Sequence, residues 1–146
     1  MMNPLKPYII DFQSIGKESE GFLSIISEGD HIPFSVQRIF TTHNTPTDVT
    51  RGRHAHYETE MILICNHGRI IVATEDVYGH KDEFILEDPS CGVFLPKLCW
   101  HEMSYSEGAI QLVLCSTLYR EEDYIRDYDR FSQIQKDHSI DAHLSE

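Results

Sequence analysis

The chain has 146 residues, of which 40% are apolar and 25% charged, enough for one globular core and too short for two. Its formal charge of −12 excludes a nucleic-acid binder, which needs a basic stripe, but not a small anionic ligand held by a local field. No run approaches the ~20 apolar residues of a membrane helix, and Met1-Met2-Asn3-Pro4-Leu5-Lys6-Pro7 lacks the order of a secretory leader, so a cytoplasmic protein is expected.

In chain order, Tyr8–Phe12 and Gly21–Ile26 are apolar and partly β-branched or aromatic, and read as strands. Phe34-Ser35-Val36-Gln37 alternates apolar with polar, and continuing the count puts Arg38 on the face of Phe34, Val36 and Phe40. An arginine on an apolar face points to a ligand or a buried partner. From His31 to Tyr57 the chain carries Arg38, Arg51 and Arg53 against the one acid Asp48. This is the basic island of an acidic protein, although scattered solvated arginines would read the same way. Strands follow at His54–Tyr57, Met61–Cys65 and Arg69–Ala73, the last two joined by the hairpin signal Asn66-His67-Gly68. Glu83–Glu87, the turn cluster Asp88–Gly92, Val93–Leu95, Cys99–Met103 and Ile110–Ser116 complete the series.

Short strands without intervening helices imply a sandwich or barrel, and residues 1–146 read as one all-β domain. A helix is expected only near the end. Tyr124, Ile125, Tyr128 and Phe131 recur at helical spacing, with Glu121-Glu122-Asp123 in the first turn. From Lys136 the tail is polar and reads as frayed. Cys65, Cys91, Cys99 and Cys115 have no C-x-x-C spacing, and three of them adjoin apolar runs. They read as small buried hydrophobes.

The chemistry concentrates in Arg51-Gly52-Arg53-His54-Ala55-His56-Tyr57-Glu58-Thr59-Glu60. On a strand His54 and His56 share a face, and Ala55 points oppositely. Two imidazoles on one wall of a cavity could take a proton from one carbon and return it to its neighbour. After the proline turn at Pro96 come Trp100, His101 and Glu102. Trp100 suits core packing as well as a ligand platform. His31, His67, His80, His138 and His143 fall in turns or the tail and are assigned no function.

The spacing His54-x-His56-x₃-Glu60 followed by Pro96-x₄-His101 resembles the two signature motifs of the cupin superfamily. A longer string is similar to the cupin-type sugar 3,4-ketoisomerases, which act on nucleotide-linked 4-keto-6-deoxyhexoses. It comprises Gly21-x-Leu23 with Glu28, Ile32-Pro33-Phe34, Arg38, Arg51-Gly52-x-His54-Ala55-His56, Trp100-His101-Glu102-Met103 and Tyr119-x-Glu121-x-Asp123-Tyr124-Ile125-Arg126-x-Tyr128-x-x-Phe131. The resemblance runs from about residue 8 to residue 131, with the elements in order.

This resemblance implies a cupin jelly-roll β-barrel with a short C-terminal helix. It implies a homodimer with exchanged N-terminal strands, no metal and no cofactor. The ligand would be a nucleotide-linked keto sugar, with dTDP as the nucleotide, whose keto group moves from C4 to C3 through an enediol for deoxysugar and polysaccharide biosynthesis. His54 and His56 would shuttle the proton and Arg51 would hold the diphosphate. Arg38 would touch ligand or support the barrel. Trp100, His101 and Glu102 would line or close the pocket. The chain departs from the family where a tyrosine usually follows the arginine matched by Arg38: here Phe40-Thr41-Thr42-His43 stands, with His43 as a candidate replacement. Met61 stands where the family has a glutamine.

Three other readings fit parts of the pattern. His54, His56, Glu60 and His101 have the complete spacing of a metal-dependent cupin, suited to iron, manganese or nickel. An Arg-Gly-x-His string also occurs in sugar-nucleotide 3,5-epimerases. A non-catalytic sugar-nucleotide-binding module would tolerate the missing tyrosine.

Overall fold

The run Met61-Ile62-Leu63-Ile64-Cys65 is buried residue by residue, as in a strand covered on both faces rather than one that alternates between core and water. The computed structural model, which describes residues 5–145, shows what covers it. Met1–Pro4, on which the absence of a leader was partly argued, lie outside the described residues.

One five-stranded antiparallel sheet has the order β1-β9-β6-β11-β4, from Tyr8–Asp11, Cys91–Leu95, Met61–His67, Ile110–Cys115 and Arg38–His43. The second has the order β12-β5-β10-β7-β8, from Tyr124–Ile125, Arg51–His56, Trp100–Tyr105, Ile70–Glu75 and Lys81–Leu86. The sheets pack face to face. Between them lie Met61, Leu63, Cys65, Val72, Val93, Leu95, Met103 and Val113. The opposite face of the first sheet buries Ile62, Ile64 and Leu114 against Ile10, Phe12 and Ile32 from the N-terminal segment. Strand β6 therefore has protein on both sides.

The second sheet is backed by the only α-helix among the described residues, α1 (Tyr128–Leu144), which lays Phe131 and Ile134 on Ala55, Trp100 and Ile125. The all-β expectation with a C-terminal helix holds, with four local corrections. Tyr124–Ile125 is a strand that pairs with His56 and Ala55, not the start of the helix. Glu121–Asp123 forms a separate 3-10 turn, and the helix is capped by Asp127, whose side chain accepts from the Asp129 N–H. The tail beyond Lys136 continues the helix to Leu144 instead of fraying. Further upstream, Phe34–Gln37 is irregular, with Phe34 and Val36 packed on the N-terminal core, and the strand begins at Arg38.

Strands β2 (Gln13–Lys17) and β3 (Gly21–Ile25) form a hairpin that pairs with no other strand among the described residues. It leaves Ile15, Phe22 and Leu23 exposed. All four cysteines are free thiols, and three are buried, as expected. Among the described residues no helix is long and apolar enough to cross a membrane.

Candidate active site

Strand β5 carries a bulge where it meets β10: the pairing steps from His101↔His54 to Glu102↔Gly52, leaving Arg53 unmatched. Gly52 and Arg53 both have positive φ, 87° and 60°, a conformation that glycine adopts without a steric penalty. A Cβ on Gly52 would sit 2.7 Å from the His101 carbonyl oxygen, so this close crossing of strands admits no side chain. Strict alternation would put Arg51 and His54, three apart, on opposite faces. The extra residue cancels one alternation and brings Arg51 to the inner face with His54 and His56, where all three line one cavity.

That cavity is about 220 Å³ and lies between the sheets at the end of the barrel occupied by β5 and β12. Met61, Leu63, Met103 and Val113 give it apolar lining, joined by the Gln111 amide and by Phe40 and Thr42. Gln111 is held by the Tyr105 hydroxyl, which donates to its Oε1 at 2.6 Å. On β10 alternation is regular: His101 and Met103 point in, whereas Trp100 and Glu102 point out.

His54, His56 and His101 form one cluster, with ring centroids 5.0 Å (His54–His56), 4.6 Å (His54–His101) and 5.9 Å (His56–His101) apart. Each ring is anchored through Nδ1–H, and the anchors differ. His54 donates to the Gly52 carbonyl at 3.1 Å and His101 to the Cys99 carbonyl at 3.0 Å. His56 donates to the buried Asp123 carboxylate at 3.1 Å. A carbonyl can only accept, so these anchors fix Nδ1 as the protonated nitrogen. Nε2 of His56 and of His101 is buried without a hydrogen-bond partner.

Burial holds the three rings neutral. It lowers His54 to about 4, with His56 adding repulsion. It lowers His56 to about 4, with His101 adding repulsion and Asp123 opposing. It lowers His101 to about 3, with His54 contributing. Their ligand atoms lie within 4.8 Å of one another, and among the described residues this is the one group of three placed to hold a metal ion. Neutral imidazoles with free Nε2 fit such a role. Glu60 does not join them. It borders a separate surface hollow with Leu5, Glu58 and Lys97, so the four-ligand set suggested by spacing is not assembled.

The roof of the cavity was not foreseen from sequence. Tyr124 lies tilted against both rings, its centroid 4.5 Å from that of His56 and 5.0 Å from that of His54. The Arg126 guanidinium lies 4.3 Å over Tyr124 and donates to both Glu121 oxygens, at 2.8 and 3.1 Å. Those hydrogen bonds, with one from Tyr119, pull exposed Glu121 down to about 2. The signal was available: Tyr124 and Arg126 are two apart and flank Ile125, which is apolar and buried under the helix. Reading the segment as helical hid that alternation.

The remaining expected residues separate. Arg38 stands beside the roof, its guanidinium carbon 5.8 Å from the Phe40 ring and 5.6 Å from that of Tyr119, with Nε buried and unpartnered. Its charge reaches His56 and opposes protonation there. Trp100 and Glu102 do not line the histidine cavity. They face a larger outer groove of about 600 Å³ on β7, β8 and α1, where Trp100 packs 5.2 Å from Tyr128 and 5.7 Å from Phe131. His43 is no replacement for the missing tyrosine: Phe40 and Thr42 take the inward positions, and the exposed His43 ring contacts the Asn44 amide at 3.2 Å.

Three comparisons place this geometry among known proteins. The sequence profile described as FdtA, WxcM-like, C-terminal, matches residues 5–136. A TDP-4-oxo-6-deoxy-alpha-D-glucose-3,4-oxoisomerase of Aneurinibacillus thermoaerophilus is 37% identical over 127 residues, covering 86% of this chain and 89% of the relative. Among solved structures, a 3,4-ketoisomerase from Helicobacter canadensis superposes with a TM-score of 0.84 at 34% identity, over 90% of this chain and 98% of the other. A sugar 3,4-ketoisomerase from Thermoanaerobacterium thermosaccharolyticum, solved in complex with TDP, gives 0.84 at 32% identity, over 90% and 96% of the two chains.

Proposed function

The chain belongs to the FdtA family (WxcM-like, C-terminal), and from that premise we propose how its site works. It is a sugar-nucleotide 3,4-ketoisomerase, moving the keto group of a TDP-linked 4-keto-6-deoxyhexose from C4 to C3. The observation that carries the mechanism is the set of three neutral imidazoles lining one cavity, with Nε2 of His56 and of His101 left without a partner.

A carbon-bound proton beside a ketone is weakly acidic, so its removal needs a positioned base and a donor for the enolate oxygen. His54 and His56 share the wall that would face C3 and C4 of a bound sugar. One takes the C3 proton while the electron pair of that bond stays on the sugar as the enediolate. A proton then reaches C4, and the hydroxyl proton passes from the C3 oxygen to the C4 oxygen. The carbons trade oxidation levels, so the step balances without an external oxidant or reductant. The cavity is smaller than the ~300 Å³ at the low end for drug-sized ligands. It takes a hexose ring and leaves the nucleoside diphosphate at the mouth. Arg51 and Arg126, with Arg38 nearby, supply charge-assisted donors for that diphosphate. His101 completes the imidazole wall and contacts the sugar.

The unpaired hairpin β2–β3, with Ile15, Phe22 and Leu23 in water, supports a homodimer in which the N-terminal strands are exchanged. Light scattering at micromolar concentration tests the dimer, and a monomer would overturn it.

Incubation with a TDP-linked 4-keto-6-deoxyglucose in D₂O, followed by NMR, tests the activity. Isomerisation places deuterium at C4 of a 3-keto product and at C3 of returned substrate. Deuterium at C5 marks an epimerase, and binding without exchange marks a non-catalytic module. A metal-dependent reading is favoured by one observation, the mutual approach of the three histidines. An ion held by His54, His56 and His101 would act as a Lewis acid on the sugar carbonyl. Stoichiometric iron, manganese or nickel in protein purified without chelators would favour that reading.

A further inference from the structure

Resting on the isomerase reading above, we propose that Asp123 is a positioning residue for His56. Its carboxylate fixes the proton on Nδ1, presents Nε2 to the sugar as a free base, and holds the imidazolium that forms when Nε2 takes a proton.

Three observations carry this. First, the anchors of the triad are unequal: two imidazoles bond to neutral carbonyls and only His56 bonds to an acid. Second, Asp123 is buried and its carboxylate is fully engaged. Oδ1 accepts from the Glu58 N–H at 2.7 Å; Oδ2 accepts from the Thr59 N–H at 3.3 Å, from the Thr59 hydroxyl, and from His56. The Thr59 hydroxyl is in turn held by Thr117 at 2.6 Å. A carboxylate clamped by this many donors cannot swing away when the ring changes charge, and orientation of this kind raises the basicity of an imidazole. Third, Asp123 immediately precedes Tyr124, whose ring covers His56, so one short segment both roofs the cavity and supports the base.

The groups facing His56 are His54, His101, Tyr124 and the charge of Arg38, and none of them is an acid. Asp123 is the single anion in contact with the ring. The proton balance is simple. The proton passes from the sugar to Nε2, the electron pair of its bond remains on the sugar, and the same nitrogen later returns the proton. Asp123 exchanges no proton with the ring.

The test uses the intact protein and two variants. Asp123→Asn keeps the shape and removes the charge; Asp123→Ala removes the anchor. In ¹⁵N-histidine NMR at pH 7 the wild type should show His56 with Nδ1 protonated and Nε2 bare, and Asp123→Ala should lose that preference. Asp123→Asn should lower kcat about 100-fold with KM within threefold, and its melting temperature should stay within a few degrees of wild type. A wild-type proton found on His56 Nε2 would overturn the proposal. So would an Asp123→Asn enzyme with kcat within threefold of wild type, or one whose rate falls only in step with its fold. If Asp123→Ala does not fold, the Asn variant and the wild-type spectrum still decide. Absence of turnover in wild type would count against the isomerase reading alone, because the NMR result needs no substrate.

Discussion

The two hollows on either side of strand β10 differ in a way that volume alone conceals. The outer groove is about 600 Å³ and the inner cavity about 220 Å³. The larger one is walled by Glu75, Asp82, Glu83, Glu102 and Lys81 beside Trp100 and Tyr128, and it gathers no cluster of imidazoles. The smaller one gathers three imidazoles, an arginine pair and a tyrosine, with burial holding each imidazole neutral. Consecutive residues of one strand supply both: Trp100 and Glu102 outward, His101 and Met103 inward. Chemistry follows the side of the sheet from which water is excluded.

The sharpest way to break this contrast is to disable the inner wall. His54→Ala and His56→Asn should each lower turnover about 10³-fold while the fold persists by circular dichroism. Loss of folding in both would reassign the rings to a structural role. Next in size is the proposed diphosphate contact. Arg51→Ala and Arg126→Ala should each raise KM roughly 10- to 100-fold, the worth of a charged hydrogen bond, with a smaller change in kcat. On the outer side, Trp100→Ala should cost about 3 kcal/mol of stability, as large-to-small changes in packed sites do, yet leave kcat at 25 °C within threefold. A collapse of kcat with unchanged melting would mean that Trp100 reaches the ligand after all.

Acid should separate the two regions as well. The three histidines titrate lower in the folded protein than the ordinary value of 6.5, so between about pH 6.5 and pH 4 the unfolded chain binds more protons. Stability therefore falls as pH drops through that window and is unaffected by these groups above it. Urea titrations at pH 7 and pH 5 check the sign, and a higher midpoint at pH 5 would contradict it. The smallest effect is expected from Glu102→Gln, within twofold in both kcat and KM.

How much of this was legible beforehand differs from element to element. His54 and His56 on a common face followed from strand alternation, and strands β6, β9 and β11 from their short apolar runs. The barrel and the ligand class came through the longer family resemblance. Trp100 and Glu102 were misplaced because motif membership was taken for pocket membership, although alternation from His101 already put both on the other face. Arg126 and Tyr124 were missed because Tyr124, Ile125, Tyr128 and Phe131 also satisfy a helical period, and only pairing with β5 decides between the two. Asp123 could not be assigned to His56 from sequence, since the two are 67 residues apart and meet only through β12. The continuation of the helix beyond Lys136 lacked an apolar stripe to announce it: Phe131 is its one buried residue.

The unmatched Arg53 has a consequence for how insertions and deletions act in this segment. Removing that single residue would restore plain pleating, turn Arg51 away from the cavity, and disconnect the proposed anion anchor without touching any atom of the histidines. In related chains, the number of residues between this arginine and the first histidine is therefore a more telling character than the identity of whatever lies between them.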